Sequence, residues 1–189
     1  MIDFEQDIQE SLRVLAAGGL ILYPTDTIWG IGCDATNEAA VKKVYELKQR
    51  EESKSLIVLV AGKGDIIKYV AGPDPEVFDF LDTVSRPTTV IYDGAIGLAN
   101  NLVNVDGTIA IRVVQELFCR HLIKRFRTPI VSTSANISGA PAPQNFASIS
   151  ADIKNGVDYI VRYRQSETEM TTASTIIKWS NGNKLVIRP

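Results

Sequence analysis

The chain has 189 residues, 45% of them apolar and 22% charged, with a formal net charge of −2. That length suits one domain at roughly 100–200 residues per domain, and the composition is close to the soluble globular average. No apolar run approaches the roughly 20 residues of a membrane helix, and the acidic start "MIDFEQDIQE" argues against a secretory signal. Cys33 and Cys119 lie far apart and make neither a disulfide framework nor a zinc site, so a cytoplasmic protein with reduced thiols is the simplest expectation.

Residues 4–17 read as a helix, with Phe4, Ile8, Leu12 and Leu15 near one face and Gly18-Gly19 as its stop. "LILY" (20–23) suits a short buried strand. Residues 37–48 read as a helix capped by Asn37, with Val41, Val44, Tyr45 and Leu47 as its apolar stripe. "SLIVLV" (55–60) is the next strand, followed by short helices over 64–70 and 75–84. Strands are expected over 88–93 and 108–113, then an amphipathic helix over 114–126 and a strand over 129–135 running into a polar loop. A helix over 144–154 and strands over 158–163, 174–179 and 184–189 complete the pattern. Strands and helices alternate throughout, which predicts one α/β domain, residues 1–189, around a mixed sheet.

Charge is unevenly spread. Residues 1–38 hold seven acids and one base, Arg13. Residues 42–68 hold Lys42, Lys43, Lys48, Arg50, Lys54, Lys63 and Lys68 against four acids, and residues 112–127 hold Arg112, Arg120, Lys124, Arg125 and Arg127 against Glu116 alone. Two basic segments in a mildly acidic chain suggest a local anionic ligand rather than a basic coat, although charged helix faces turned to water give the same pattern.

Several chemistries are poorly supported. The single histidine, His121, sits on an amphipathic helix and reads as an ordinary surface residue of that helix. Zinc-ligand spacing and a P-loop are absent. Gly30-Ile31-Gly32-Cys33-Asp34-Ala35 matches a dinucleotide fingerprint only weakly, because "PTDTIW" separates it from its strand and no acid follows the second strand. Three stretches remain: "YPTDTIWGIGCD" (23–34), crowded with hydroxyls and glycines; Lys48-Gln49-Arg50 with Lys54; and "STSANISG" (132–139). A hydroxyl-rich loop, a Lys/Arg pair and a second Ser-rich loop, each near a strand end, suggest a nucleotide site built without a P-loop.

These stretches, with "TIAIRV", "STII" and a terminal "VIRP", come in the order and approximate spacing of the YrdC-like family of threonylcarbamoyl-AMP synthases, and the resemblance runs from Leu20 to Pro189. The Lys-x-Arg and Ser-x-Asn pairs are its most telling marks; related YciO-type paralogues tend to lack the second. The resemblance implies a twisted α/β sheet curled into a deep, positively lined groove. It implies a reaction of L-threonine, bicarbonate or carbon dioxide and ATP, with Mg²⁺, to threonylcarbamoyl-AMP and pyrophosphate. That product feeds a separate transferase complex acting on tRNA.

Carried onto this chain, Thr27 would contact threonine, and Arg50 and Arg112 would hold its carboxylate or the carbamate. Lys48 and Lys54 would face the triphosphate. Thr108, Ser132, Ser134 and Asn136 would hold the adenylate, with Ser134 and Asn136 on one face if strand geometry persists. Ser174 and Arg188 would close the site, with Ser174 on the threonine side and Arg188 on the nucleotide side. No protein nucleophile is needed. The chain departs from the family at Ser55, Arg112-Val113-Val114 and Arg86-Pro87-Thr88-Thr89, where prolines or Pro-Gly are usual, and at Leu59, a histidine in some larger members. Rival expectations are a non-catalytic domain gripping tRNA or double-stranded RNA, and a YciO-like enzyme acting on another amine.

Overall fold

The computed structural model describes residues 4–169, 172–180 and 182–189. The first expected helix is α1 (Glu5–Ala16), which buries Ile8, Val14 and Leu15 and ends at Gly18, whose φ of +69° is the left-handed value glycine adopts without penalty. Strand β1 (Ile21–Tyr23) follows and pairs antiparallel with β2 (Gly30–Gly32). Strand β2 is not expected from its residues, because glycine is depleted in strands. Its glycines are steric: a Cβ at Gly32 would lie 2.6 Å from the Tyr23 ring and 2.9 Å from the Val131 carbonyl oxygen.

Helix α2 (Glu38–Lys48) is capped as expected, the Asn37 side chain accepting from the Ala40 amide, and closes at Gln49 with φ of 49°. Strand β3 (Ile57–Val60), a 3-10 turn at Lys63–Lys68, helix α3 (Glu76–Thr83) and strand β4 (Thr88–Tyr92) come next. Then come β5 (Ile109–Val113), α4 (Leu117–Phe126) and β6 (Ile130–Ser134). The helix expected over 144–154 is only α5 (Ala151–Asn155). Upstream of it Asn145 and Ser148 bond to each other through side chain and backbone, which closes a turn in place of a helix. The strand expected over 158–163 is reduced to β7 (Tyr159–Ile160), since the amides of Arg162 and Tyr163 donate to the buried carboxylate of Asp7 on α1. The chain ends in β8 (Thr175–Ser180) and β9 (Asn183–Arg188).

These nine described strands form one mixed sheet in the order β7-β1-β2-β6-β3-β5-β4-β8-β9. Alternation divides their side chains between two faces. On one face Leu22, Val58, Val60, Ile109, Ile111 and Val131 pack with Val41, Val44 and Ile153 in the larger core. The opposite face is covered at one end by α1 and α4, whose Ile8, Leu15, Phe118 and Leu122 meet Ile21, Tyr23, Leu59 and Ile130. The register extends this second face beyond those helices. Gly30 lies opposite Ser134, Ile57 opposite both Ser132 and Ala110, Arg112 opposite Thr89, Thr89 opposite Ile176, and Ile176 opposite Arg188. One sheet face is therefore sealed by helices at one end and open at the other.

Candidate functional site

A cavity of about 570 Å³ occupies the open end of that face. Its apolar floor includes Ile57, Ile91, Ala110 and Ile176, and its polar wall includes Thr27, Ser132, Thr133, Ser134 and Ser174. Arg50, Lys54, Arg112 and Arg188 also line it, and none of its described lining residues is an acid or a histidine. Four cations with no lining carboxylate favour an anionic ligand, and the apolar floor suits a ligand with a flat or aliphatic body.

Eight of the residues expected at the site meet here: Thr27, Arg50, Lys54, Arg112, Ser132, Ser134, Ser174 and Arg188. Thr27 belongs to a loop folded on its own hydroxyls. Thr25 Oγ1 donates to the Ile28 carbonyl, accepts from the Thr27 amide and lies 2.9 Å from Thr27 Oγ1. With the Thr25 hydrogen spent on Ile28, the Thr27 hydroxyl is left to donate to Thr25, and Thr27 itself lines the cavity. Gly30 keeps the neighbouring wall open, since a Cβ there would sit 3.1 Å from Ser132 Oγ.

Arg50 donates from Nε and Nη2 to the carbonyl oxygens of Lys54 and Ser55, which folds the 50–55 loop around its guanidinium. Lys54 is exposed and lies 3.8 Å from Glu51. On the far wall Ser174 shares a 2.8 Å hydrogen bond with Thr89, and its carbonyl accepts both Nε and Nη2 of Arg188. Burial, followed by the nearby Arg112 charge, lowers the Arg188 pKa from its ordinary value, as expected of two cations facing one cavity. Arg112 is only 3% exposed. Its Nη2 lies 3.2 Å from Asp26 Oδ1, yet neither Nε nor Nη2 makes a hydrogen bond among the described residues. A buried guanidinium edge with both donors unfilled is a costly arrangement, which the neighbouring Asp26 charge offsets.

Three expected residues are not on the lining. Lys48 is 1% exposed, and its ammonium donates to the carbonyls of Ser134 and, at 2.6 Å, Asn136. Its own carbonyl accepts the Ser138 amide, so Lys48 braces the Ser-x-Asn loop from behind rather than facing a triphosphate. Burial, aided by Arg50, pushes its pKa down to about 8. Asn136 does not share a face with Ser134, because β6 ends at Ser134. Its Nδ2 donates to the carbonyls of Ile137 and Ala140, which ties the loop to itself. Thr108 donates to Asp106 and accepts from Asn104, whose Oδ1 accepts from Ser55 Oγ, so it reaches the cavity only through Ser55.

Ser53, Ser55 and Thr133 as lining residues, and Asp26 as the partner of Arg112, are not among the residues expected from the sequence. Period-two spacing from Arg112 does point to Ala110, but loop residues such as Ser53 and Asp26 carry no such signal. His121 lies on the surface of α4 against the Phe4 ring, 5.7 Å between centroids, away from the cavity lining. Cys33 and Cys119 are free and buried, and burial raises both thiol pKa values, which leaves them inert. No helix of the described residues is long and apolar enough to cross a membrane.

The Sua5/YciO/YrdC family model, described as telomere recombination, matches residues 13–189. The threonylcarbamoyl-AMP synthase of Pseudoalteromonas translucida is 31% identical over 160 residues, covering 83% of this chain and 86% of that protein. The enzyme of the same name from Idiomarina loihiensis is 33% identical over 158 residues, covering 82% and 85%. In fold, the chain resembles P. abyssi Sua5 complexed with L-threonine, with a TM-score of 0.86 at 24% identity, matching 98% of this chain but 56% of that one. It also resembles E. coli YciO, with a TM-score of 0.83 at 20% identity, matching 97% of this chain and 88% of that one. The chain thus spans about half the length of the Sua5 structure and most of YciO. With nearly the whole sequence matched by the family model, and the α/β sheet shared with Sua5 and YciO, the chain belongs to the Sua5/YciO/YrdC family.

Proposed function

We propose that the protein is a threonylcarbamoyl-AMP synthase that joins L-threonine, bicarbonate-derived carbon dioxide and ATP at this cavity and releases pyrophosphate. The observation that carries this proposal is the lining: four cations, Arg50, Lys54, Arg112 and Arg188, with no carboxylate among the described lining residues. In this account the threonine amine attacks carbon dioxide and loses a proton to solvent, giving a carbamate. A carbamate oxygen then attacks the α-phosphorus, and the bond to the pyrophosphate oxygen breaks. Arg50 and Arg112 would face the amino-acid carboxylate and the carbamate, Lys54 the phosphates and Arg188 the nucleotide side. Thr27 would accept from the amine, and the hydroxyls of Ser132 and Ser134 would line the nucleotide side. Catalysis would rest on positioning and on stabilising phosphoryl charge, without a covalent intermediate on the protein.

Mg²⁺ would arrive with ATP. Among the described residues there is no group of three or more Asp, Glu, His or Cys that could hold a metal, and the lining hydroxyls and cations fit an anion that carries its own ion. The metal would neutralise phosphate charge; the chain's residues would orient the two substrates. The product would serve a tRNA-modifying transferase in the cytoplasm. Mass spectrometry after mixing the protein with ATP, Mg²⁺, bicarbonate and L-threonine tests the proposal. A mass for threonylcarbamoyl-AMP that vanishes when any one substrate is omitted supports it. RNA binding with no adenylate product would replace it with a non-catalytic function.

A further inference from the structure

We infer that Asp26 is a positioning residue that fixes the aim of Arg112 at the wall of the cavity. Three observations carry this. Asp26 Oδ2 accepts the Gln115 amide at 2.9 Å, which pins the carboxylate to the chain just past β5. Oδ1 lies 3.2 Å from Arg112 Nη2, with both side chains nearly buried, at 8% and 4% exposed. That approach lacks hydrogen-bond alignment, since Asp26 Oδ1 and Arg112 Nη2 are both without a hydrogen-bond partner among the described residues.

A buried guanidinium needs a counter-charge to remain in place, and Asp26 supplies it by charge alone. Asp26 is also absent from the cavity lining, so it acts through Arg112 and not on the ligand. The same residue sits between Thr25 and Thr27. It therefore ties the hydroxyl loop to β5, and sets the distance between Thr27 and Arg112, which come from separate segments. The assignment of threonine as the ligand rests on the proposed function; the ordering of Arg112 does not.

Asp26→Asn isolates the charge, because an amide oxygen can still accept from Gln115. Two readouts are taken on the intact chain. The first is the Arg112 Nε–Hε resonance of the ligand-free protein, identified by its loss in Arg112→Lys. The second is the KM for threonine against the KM for ATP. In Asp26→Asn the resonance should broaden or move, and the threonine KM should rise on the order of ten- to a hundredfold, the ATP KM staying within about twofold. Asp26→Glu, which keeps the charge, should recover part of the threonine KM. An unchanged resonance and an unchanged threonine KM in a folded Asp26→Asn would overturn the inference. A wild type that makes no product refutes the proposed function alone, and the resonance still decides the role of Asp26. If Asp26→Asn fails to fold, Asp26→Glu carries the test: a normal resonance with threonine KM shifted equally to ATP KM contradicts positioning.

Discussion

Two buried cations stand on either side of the same strand system, and they are used in opposite ways. Lys48 ends α2 at 1% exposure and spends its ammonium hydrogens on the carbonyls of Ser134 and Asn136. Arg112 lies on β5 at 3% exposure, beside Asp26 but with Nε and Nη2 unfilled. Both have shed most of their hydration. One recovers it from backbone carbonyls and holds a loop in shape; the other recovers it only in part, from the charge of Asp26, and lines the cavity. Desolvation is thus a cost in both places, and hydrogen-bond satisfaction separates the cation that serves the fold from the one available to a ligand.

The largest expected effect is at Arg112. Arg112→Lys keeps a charge for Asp26 but loses the planar fork, so product formation should fall by about tenfold or more, as for a lost charge-assisted contact of roughly 1.5–3 kcal/mol. Thermal melting should move little, because the ion pair survives. Full activity in a folded Arg112→Lys would erase the distinction drawn between the two cations.

Lys48→Met comes next. The apolar stem is kept, but the carbonyls of Ser134 and Asn136 lose their donor, at a cost of about 1–3 kcal/mol for an unsatisfied buried group. Urea denaturation should show this loss, and nucleotide affinity should fall with it as the Ser-x-Asn loop loosens. The pH dependence sharpens the point. The Lys48 pKa is lowered from the ordinary 10.5 to about 8, so between these values the unfolded chain binds more protons than the folded one. Its titration therefore contributes stability that is fully present above 10.5 and is lost as pH falls through about 8. The stability gap between wild type and Lys48→Met should widen from about pH 7 to about pH 10. A constant gap would mean that the lysine is not held in a dehydrated site.

The smallest effect belongs to His121. It lies exposed on α4 against Phe4, away from the cavity, so His121→Gln should retain most of the activity. The pH–rate profile should keep its shape. A thousandfold loss in the folded variant would require general-base chemistry that the cavity lining does not supply.

Legibility in the sequence follows the same division. The apolar runs at β1 and β3 and the stripe of α2 are uninterrupted, and hydrophobic period alone places them. Arg112 stands in an otherwise apolar strand, and its place at the site comes from the family resemblance. Strand β2 is hidden because its glycines answer to the Tyr23 ring, a contact made across the hairpin. Lys48 is expected from the resemblance to face a triphosphate, and its place in the last turn of α2 says nothing of its depth or of the carbonyls it meets. Asn136 misleads for a related reason: two-residue spacing from Ser134 implies a shared face only while the strand lasts, and β6 stops at Ser134. Of the four lining cations, Arg50 and Lys54 stand out as a basic cluster past a helix end and Arg112 and Arg188 come only from the family resemblance, whereas the brace behind them is a tertiary fact.

The most direct test is a paired calorimetric titration of L-threonine and of a non-hydrolysable ATP analogue into Arg112→Lys and Lys48→Met. The account predicts a crossed result: Arg112→Lys weakens threonine and spares the nucleotide, while Lys48→Met weakens the nucleotide and spares threonine. Equal loss of both ligands in both variants would contradict it, and would make the two buried cations equivalent parts of one scaffold.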